Sequence, residues 1–438
     1  MSVPQPAGSN AGAGSAGAPN AQTTSAAVSQ SPTLRIGVAG LGRAFTLMLP
    51  SFVADARVRL VAACDPRQEA CHRFVQDFAG RIHASVESLC NDPGVDAVYI
   101  ATPHEWHAEH VCMAAAAGKH VLVEKPLALT LQDCQRMQQA VAQAGVQLVV
   151  GHSHSFNAPV LETRRIIERG EFGAVRLINV QYYTDFLYRP RRPEELDSAR
   201  GGGVVFSQGA HQVDIVRLLA GGLARSVRAL CGNWDATRPT EGAYAALVPF
   251  ENGAFASLLY NGYGYFDGDE QAGWVSELGL DKDPAAWRSG RSRLQAGTLN
   301  QQSEAAAKAA RNYGGKAYVA AGGLSGANNS NGTDPVTRHH QHFGHIVVSC
   351  EAADLRPGPD GVTVYADGGR SLRRLPLSGV PRVEVLDEWL AAIAGTRAPL
   401  HDARWSLASM ELCLALLASA RSGTEQALQQ QCAPQSLL

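Results

Sequence analysis

Short apolar runs alternate with helical stretches over the first third of the chain. The runs, each long enough for one buried strand, are Leu34–Val38, Val58–Ala63, Ala97–Ala101, His120–Val123 and Gln147–Val150. Helices are predicted between them, over His107–Ala117 and over Leu131–Ala144, where Thr130 precedes the helix as a cap. Continuous apolar strands that alternate with helices predict a parallel sheet covered on both faces, and therefore an α/β domain over residues 34–152.

The pattern changes after about residue 172, where alternating strands replace the strand–helix repeats. A long strand is predicted over Val175–Phe186, and Asn252-Gly253 separates the runs Gly242–Phe250 and Ala254–Gly262. Asn-Gly between two alternating runs is a strong hairpin signal. Two further strands and two late helices are predicted over Val362–Tyr365, Leu372–Leu377, Val383–Ala394 and Trp405–Ala420. Residues 153–438 therefore predict an α+β domain with a mainly antiparallel sheet.

Two segments lack this patterning. Residues 1–33 are dominated by small and polar residues with no charge before Arg35, which predicts a disordered tail. They contain neither a basic stretch nor a long apolar stretch, so a secretory signal is not expected. Residues 314–335 are rich in Gly, Asn, Ser and Ala and are predicted to form a mobile loop.

Charge and cysteine content narrow the class of protein. The chain has 438 residues, with 38 basic against 40 acidic side chains and a formal net charge of -2, so no basic footprint for nucleic acid or for an anionic membrane is present. Its nine cysteines are scattered without a Cys-x-x-Cys pair, which argues against disulfides and structural zinc. We expect a cytoplasmic protein without a resident metal, although one histidine group has spacing that a transition metal accepts. That group is His339, His340, His342 and His345.

A glycine-rich turn follows the first predicted strand. Gly40 and Gly42 are spaced so that the backbone can approach a pyrophosphate at a helix N-terminus, with Phe45 in the place of a third glycine. The second strand leads to Asp65, at the interval expected for a carboxylate that binds ribose hydroxyls. This carboxylate favours NAD, while Arg67 leaves NADP possible.

Polar residues also follow the later strands of this sheet. Glu124-Lys125-Pro126 comes directly after a strand, where ligands bind in such sheets. A lysine there can relay a proton or stabilise charge, particularly if desolvation lowers its pKa. Lys125 is therefore a candidate catalytic residue. The candidate cofactor-binding residues are Gly40, Gly42, Arg43, Ala44, Asp65, Arg67, Thr102, Pro103, His107 and Glu124.

The order of these elements resembles a known family. Gly40-x-Gly42, Ala101-Thr102-Pro103 with His107, and Glu124-Lys125-Pro126 are typical of the glucose–fructose oxidoreductase/inositol dehydrogenase family, also called Gfo/Idh/MocA. The resemblance spans about residues 34–420. It implies an N-terminal Rossmann domain that binds a nicotinamide cofactor and a C-terminal domain with an open, mainly antiparallel sheet. In the family that sheet often joins subunits, so a homodimer or homotetramer is expected.

A second family signature follows Gly201-Gly202-Gly203. The family pattern Asp-x-Gly-x-His-x-x-Asp is similar to the segment from Ser207 to Asp214. The resemblance implies that His211 is catalytic and takes a hydroxyl proton while hydride leaves the same carbon. Ser207 stands where the family has its first aspartate, so more of the acid–base role is expected to fall on His211 and Lys125, with Ser207 on the substrate side.

An arginine-rich loop precedes this signature. Arg189, Arg191 and Arg192 are flanked by prolines, and arginine binds carboxylates through two parallel hydrogen bonds. The loop predicts an anionic substrate, with a solvated basic loop or an intersubunit contact as the alternatives. His154 and His342 are further candidates for the substrate side.

Residues 185–197, with Trp234-Asp235 and residues 238–242, resemble the phthalate 4,5-dihydrodiol dehydrogenase branch of the family. That resemblance implies NAD-dependent oxidation of 4,5-dihydro-4,5-dihydroxyphthalate to 4,5-dihydroxyphthalate. Two alternatives remain open. One is a sugar or cyclitol dehydrogenase of the same family, and the other is a nicotinamide-binding regulator without turnover.

Overall fold

Six parallel strands form the first sheet. A computed structural model describes residues 33–286, 289–297, 300–316, 318 and 338–438. The strands are β1 (Leu34–Ala39), β2 (Val58–Cys64), β3 (Arg81–Ile82), β4 (Ala97–Ile100), β5 (His120–Val123) and β6 (Leu148–Val150). Their order in the sheet is β3-β2-β1-β4-β5-β6. Successive strands are added on one side of β1 up to β3 and on its other side from β4 onwards. Ligands bind at such a switch point, in the crevice at the carboxyl ends of β1 and β4.

Five helices connect these strands and cover both faces. They are α1 (Arg43–Ala54), α2 (Gln68–Phe78), α3 (Val86–Cys90), α4 (His107–Ala116) and α5 (Leu131–Ala144). The predicted cap of α5 is confirmed, because the Thr130 hydroxyl accepts a hydrogen bond from the Asp133 amide at 3.0 Å. At its other end Gly145 adopts a left-handed conformation that stops the helix.

The second sheet has nine strands within the described ranges. They are β7 (Val175–Tyr183), β8 (Ser226–Gly232), β9 (Ala243–Pro249), β10 (Phe255–Asn261), β11 (His345–Cys350), β12 (Ala353–Gly358), β13 (Gly361–Ala366), β14 (Gly369–Arg374) and β15 (Gln426–Ala427). Their order is β14-β13-β12-β11-β7-β10-β9-β8-β15. All neighbours are antiparallel except β7 and β10, so the prediction of a mainly antiparallel sheet is confirmed. The predicted hairpin is the pair β9–β10.

The remaining helices are α6 (Ala158–Glu168), α7 (Ala210–Ala220), α8 (Ser289–Gln295), α9 (Gln301–Ala310), α10 (Val383–Ile393) and α11 (Ala403–Ser422). No helix in the described part of the chain is long and apolar enough to cross a membrane. The described residues from Thr33 to Leu438 form one unit by their contacts, so the proposed boundary near residue 152 stays a prediction.

One expectation is revised, and two others lie largely beyond the described residues. The strand predicted over Val175–Phe186 ends at Tyr183, because the Thr184 hydroxyl accepts from the Phe186 amide and turns the chain into a short 3-10 helix. Of the tail predicted over residues 1–33, all but residue 33 lies outside the described residues. Of the loop predicted over 314–335, only 314–316 and 318 are described.

Candidate active site

The glycine turn after β1 leaves room for an anion. Gly40 has φ +94°, and a Cβ atom there would lie 2.7 Å from the Ala101 carbonyl oxygen, so no larger residue fits. At Gly42, the N-terminal cap of α1, a Cβ atom would meet no atom within 4 Å. Arg43 and Ala44 begin α1, whose first turn contains no acidic residue. The open space at Gly42, beside a helix N-terminus whose first amides have no partner within the helix, fits a pyrophosphate.

Asp65 lies at the end of β2, close to this turn. Its carboxylate accepts from the Leu41 amide at 2.7 Å and from the amide and side chain of Arg67 at 2.8 Å and 3.0 Å. Arg67 also donates to the Leu41 carbonyl at 2.7 Å and to the Tyr313 carbonyl at 3.3 Å. A second bond from the Arg67 side chain, at 3.1 Å, brings the donors to two on each carboxylate oxygen, so a ribose hydroxyl would bind Asp65 by replacing one of the Arg67 side-chain bonds. The residues of this turn fit NAD.

The missing third glycine has a structural explanation. Phe45 is completely buried, and its ring packs against Phe74 and edge-on against Tyr313, with 5.2 Å between the last two ring centroids. The Tyr313 hydroxyl donates to Asp77 on α2 at 2.6 Å. Tyr313 therefore joins the second half of the chain to the cofactor end of the first sheet. No local pattern in the sequence indicates this role.

His107 connects the loops that follow β4 and β5. Its ring nitrogens lie 3.0 Å from the Thr102 carbonyl and 2.9 Å from the Pro126 carbonyl, and the side chain is completely buried. Both nitrogens are thus used inside the protein. His107 positions Thr102, Pro103 and the Glu-Lys-Pro segment, and it offers no nitrogen of its own to a cofactor.

Lys125 lies where β5 ends. Its ammonium nitrogen donates to the backbone carbonyl of Ser207 at 2.8 Å. Burial lowers the pKa of Lys125, while the charges of Glu124 and Glu277 partly oppose that shift. Glu124 accepts from the Tyr99 hydroxyl at 2.6 Å, and burial raises the pKa of its carboxyl. Lys125 is consequently a lysine that can lose its proton more easily than an exposed one.

A single π-helical turn over Val205–Gly209 leads into α7. Within it the Ser207 hydroxyl donates to the Gly203 carbonyl, so this side chain is bonded within its own segment. The Ser207 carbonyl is instead the acceptor for Lys125. Turns of this type often occur at functional sites. The backbone therefore anchors Lys125 regardless of the absent family aspartate.

Three buried histidines lie together beside Lys125. The Nδ1 atom of His211 accepts from the His154 amide at 3.3 Å, which places the proton of the neutral ring on Nε2. The ring of His154 stacks on Phe343, and His152 packs against His154 edge-on. Burial lowers the pKa of all three histidines well below its usual value. At neutral pH they are therefore uncharged.

Lys125 and His211 line a cavity of about 30 Å³. Its polar lining includes Ser153, Asp214, Ser406 and Ser409. The Ser153 hydroxyl oxygen is buried and has no hydrogen-bond partner within the described chain. The space and its polar lining suit one water molecule.

Asp214, the second acid of the family signature, is bonded within a buried network. It accepts hydrogen bonds from Ser155, from the Trp405 indole at 2.5 Å and from Ser409 at 2.8 Å. His401 lies 3.8 Å from the same carboxylate. Asp214 therefore holds α7 against α11 and the segment after β6.

His401 completes this network. Its Nδ1 atom lies 3.0 Å from Glu388, and its Nε2 atom lies 2.8 Å from the Ser155 hydroxyl. Burial alone would lower the pKa of His401, but the charges of Glu388 and Asp214 outweigh it and raise that pKa. Sequence patterns did not identify His401 or Glu388, because these residues meet Asp214 only through the fold.

The predicted arginine loop is largely occupied by contacts within the chain. Arg191 donates to the Phe186 carbonyl at 2.7 Å, and its guanidinium lies 3.5 Å above the Phe186 ring. The backbone amide of Arg191 donates to Glu304 on α9, which also binds Arg238 through two hydrogen bonds. These bonds fix the loop against α9.

The other two arginines of the loop also have acidic neighbours. Arg189 lies 3.3 Å from Asp185 and 3.4 Å from Glu277. Arg192 lies 3.1 Å from Glu194 and is partly exposed. A substrate carboxylate would compete with these groups. Carboxylate binding by the loop stays a prediction that this geometry does not favour.

Both ring nitrogens of His342 also bond within the protein. Its Nε2 atom lies 2.7 Å from the Val275 carbonyl, and its Nδ1 atom accepts from the Gly344 amide. It offers no free nitrogen to a substrate. In the described ranges of the chain, no three His, Cys, Asp or Glu side chains are grouped to hold a metal ion.

Comparisons with known proteins agree with this arrangement. A model of the Gfo/Idh/MocA oxidoreductase family, NAD-binding Rossmann fold, matches residues 34–152, and a model of the GFO/IDH/MocA C-terminal domain matches residues 160–271. The chain is 48% identical to a 1-carboxy-3-chloro-3,4-dihydroxycyclohexa-1,5-diene dehydrogenase of Comamonas testosteroni, over 88% of this chain and 94% of that one.

Solved structures show the same fold. A dehydrogenase from Bordetella bronchiseptica RB50 matches with a TM-score of 0.81 and 38% identity, covering 90% of this chain and 100% of that one. The WlbA dehydrogenase of Bordetella pertussis, solved with NADH and UDP-GlcNAcA, matches with a TM-score of 0.61 and 22% identity, covering 91% of this chain and 99% of that one.

The fold and the site define an NAD-dependent oxidoreductase. The chain belongs to the Gfo/Idh/MocA family. The expected Rossmann domain, the mainly antiparallel second sheet and the NAD cofactor are confirmed.

The neutral histidine group predicts a loss of stability in acid. Unfolded histidines titrate near pH 6.5, whereas the buried rings of His152, His154 and His211 have a lower pKa, so the unfolded state binds more protons as the pH falls below about 6.5. The free energy of unfolding is expected to drop by about 1.4 kcal/mol per histidine per pH unit there. Urea unfolding at pH 7.5 and at pH 5.5, both about one unit from that midpoint, measures this drop.

A variant separates this effect from general acid unfolding. His152→Phe keeps a ring that stacks on Phe156 but removes one titrating group, so its stability should fall less steeply with decreasing pH. His72→Gln, at an exposed position of α2, is the matched control and should keep the wild-type slope. Equal slopes in all three proteins would refute the assignment.

Proposed function

We propose that this chain oxidises the cis-dihydrodiol of a carboxylated aromatic ring with NAD. The proposed substrate is 4,5-dihydro-4,5-dihydroxyphthalate, and the product is 4,5-dihydroxyphthalate. The observation that carries the proposal is the pairing of Lys125, anchored on the Ser207 carbonyl, with a neutral His211 in one buried group. The 48% identity to a dehydrogenase whose name specifies a carboxylated dihydroxycyclohexadiene supports this substrate class.

The residues divide the proton chemistry between them. Lys125 has a lowered pKa, so its neutral amine accepts the proton of the reacting hydroxyl. His211 carries its proton on Nε2 and donates a hydrogen bond to a substrate oxygen. This assignment differs from the expectation that His211 is the base, because its Nδ1 atom is already an acceptor.

Bound NAD supplies the acceptor for the hydride that leaves the same carbon. The carbon is thereby oxidised to a ketone, and loss of a ring proton with gain of a hydroxyl proton gives the catechol. Dihydrodiol and NAD⁺ therefore yield catechol, NADH and one proton. Because the ring becomes aromatic, the residues need chiefly to position the diol and accept one proton.

NADH absorbance tests the proposal directly. The purified protein is mixed with NAD and the 4,5-dihydrodiol of phthalate, with the monocarboxylated 3,4-dihydroxycyclohexadiene, or with myo-inositol and glucose. Rapid NADH formation with the carboxylated dihydrodiols alone supports the proposal. Turnover of inositol or glucose instead would replace it with the sugar or cyclitol alternative. NAD binding without turnover of any compound would favour the regulator.

We also propose that the second sheet joins subunits. Its outward face exposes large apolar side chains on neighbouring strands, including Leu230, Leu247 and Phe255, which are 66%, 55% and 49% exposed. Exposed apolar patches of this kind mark interaction surfaces. Sedimentation of the wild-type protein should give a dimer or tetramer, and Leu247→Glu should shift it towards the monomer. A wild-type monomer would contradict this.

A further inference from the structure

Arg382 has an unusual backbone conformation. It immediately precedes α10 and adopts φ 51°, ψ 32°, in the left-handed region. Only two other non-glycine residues of the described ranges, Ala79 and Trp274, have positive φ. A non-glycine residue in this conformation is disfavoured and persists where the surroundings fix it, often at a ligand site.

The surroundings of Arg382 fix it at the catalytic end of the first sheet. The carbonyl of the preceding Pro381 accepts from the Ser51 hydroxyl of α1 at 2.5 Å. On the other side, a Cβ atom at Gly151 would lie 3.6 Å from Val385 in the first turn of α10. The segment that carries Arg382 is thus held between α1 and Gly151, the residue before His152.

The charge of Arg382 acts on the catalytic residues. Burial is the main cause of the lowered pKa of Lys125, and the charge of Arg382 lowers it further. The same charge also lowers the pKa of His154 and of His211, again in addition to burial. Burial also lowers the pKa of Arg382 itself, opposed by Glu124. Packing places this segment beside the same residues: Val385, three residues after Arg382, belongs to one buried cluster with Tyr99, which donates to Glu124, and with Phe156, which follows the histidines.

Arg382 differs from the arginines of the predicted loop in having no partner. Across the described residues its guanidinium makes no hydrogen bond and no ion pair, whereas Arg189 pairs with Asp185 and Arg191 binds the Phe186 carbonyl. A partly buried, unpaired guanidinium keeps its full capacity for two parallel hydrogen bonds to a carboxylate.

We propose that Arg382 binds a ring carboxylate of the substrate and thereby selects carboxylated dihydrodiols. This inference rests on the proposed function and names the residue that determines its substrate class. It replaces the arginine loop in that role, because the loop is already bonded within the chain. The bound carboxylate would orient the ring with its diol towards Lys125 and His211.

Steady-state kinetics with two substrates tests the inference. The substrates are the 4,5-dihydrodiol of phthalate and the uncharged cis-dihydrodiol of benzene. For Arg382→Gln we expect kcat/KM for the carboxylated substrate to fall about 30-fold or more, mainly through KM, because a charge-assisted bond to a carboxylate is lost. For the uncharged substrate we expect a change below about threefold. Arg382→Lys should recover part of the loss, because lysine restores the positive charge but cannot donate two parallel hydrogen bonds to the carboxylate.

Arg397→Gln is the matched control, since it removes the same charge at an exposed position beyond the other end of α10. It should leave KM for both substrates unchanged. Three results would overturn the inference: equal losses on both substrates, which indicate a structural role; weaker NAD binding, which indicates a cofactor contact; or a larger KM effect from Arg192→Gln than from Arg382→Gln.

Calorimetry with phthalate itself separates this inference from the proposed function. Phthalate is a dicarboxylate probe that needs no turnover. If the wild-type protein with NAD oxidises neither dihydrodiol, the proposed function fails. Phthalate binding that weakens about 30-fold in Arg382→Gln would then still support the carboxylate site. Equal binding by both proteins, or none by the wild type, would overturn it.

Discussion

Replacing Lys125 by methionine is expected to lower kcat about 1000-fold, within the range typical of a lost general base. Methionine keeps a similar volume but cannot accept the hydroxyl proton or bond to the Ser207 carbonyl. NAD affinity should change less than about threefold, because the pyrophosphate and ribose contacts are expected from the glycine turn and Asp65 and not from the Lys125 amine. Stopped-flow kinetics for kcat and fluorescence titration for NAD measure the two effects.

Two comparisons make this result specific. Lys125→Arg keeps a positive charge, but arginine does not deprotonate, so its loss of kcat should match that of methionine. A substantially active arginine variant would mean that Lys125 acts only through its charge. Lys316→Met, at an exposed position, is the matched control and should retain wild-type rates. A loss below about tenfold in Lys125→Met would contradict the catalytic role.

The pH profile gives a second check on Lys125. Burial lowers the pKa of this amine, so the rising limb of kcat against pH should lie below the ordinary lysine value of 10.5. As the pH rises through that pKa, the amine loses its proton and activity should increase to a plateau. The methionine variant should lack this limb.

Local signals explain how much of the fold was predictable. Helix α5 begins and ends where predicted, because a threonine cap and a left-handed glycine lie at its two ends. Continuous apolar runs predicted five of the six strands of the first sheet, but not β3, whose two residues are exposed and form no apolar run. Asn252-Gly253 predicted the β9–β10 hairpin. The strand predicted to reach Phe186 ended early, because the Thr184 hydroxyl bond that turns the chain has no signature in the hydrophobic pattern.

The site was predictable only where its chemistry is local in sequence. The glycine turn and Lys125 are short motifs at strand ends, and the structure places them at one edge of the sheet. Tyr313, Arg382 and His401 reach that edge from distant parts of the chain, so no spacing predicts them. For the same reason the sequence showed the charges of the arginine loop but not its acidic partners, such as Glu304.

Ser207 illustrates a limit of motif comparison. The sequence shows that a carboxylate of the family signature is absent, which suggests a weakened site. The structure shows that the contact to Lys125 is made by the Ser207 backbone, which any residue at this position supplies. The departure from the motif therefore does not remove the anchor of the catalytic lysine.

Asp214→Asn is expected to lower the free energy of unfolding by about 3 to 5 kcal/mol, as for a buried ion network that loses one charge. The asparagine NH₂ would face the donors that now bind the carboxylate, including the Trp405 indole. It would also leave His401, whose pKa is raised, without one of its two carboxylates. Urea unfolding followed by fluorescence measures the change, and Asp367→Asn, at an exposed turn, is the control. A loss below about 1 kcal/mol would show that this carboxylate does not hold α7, and with it His211, in place.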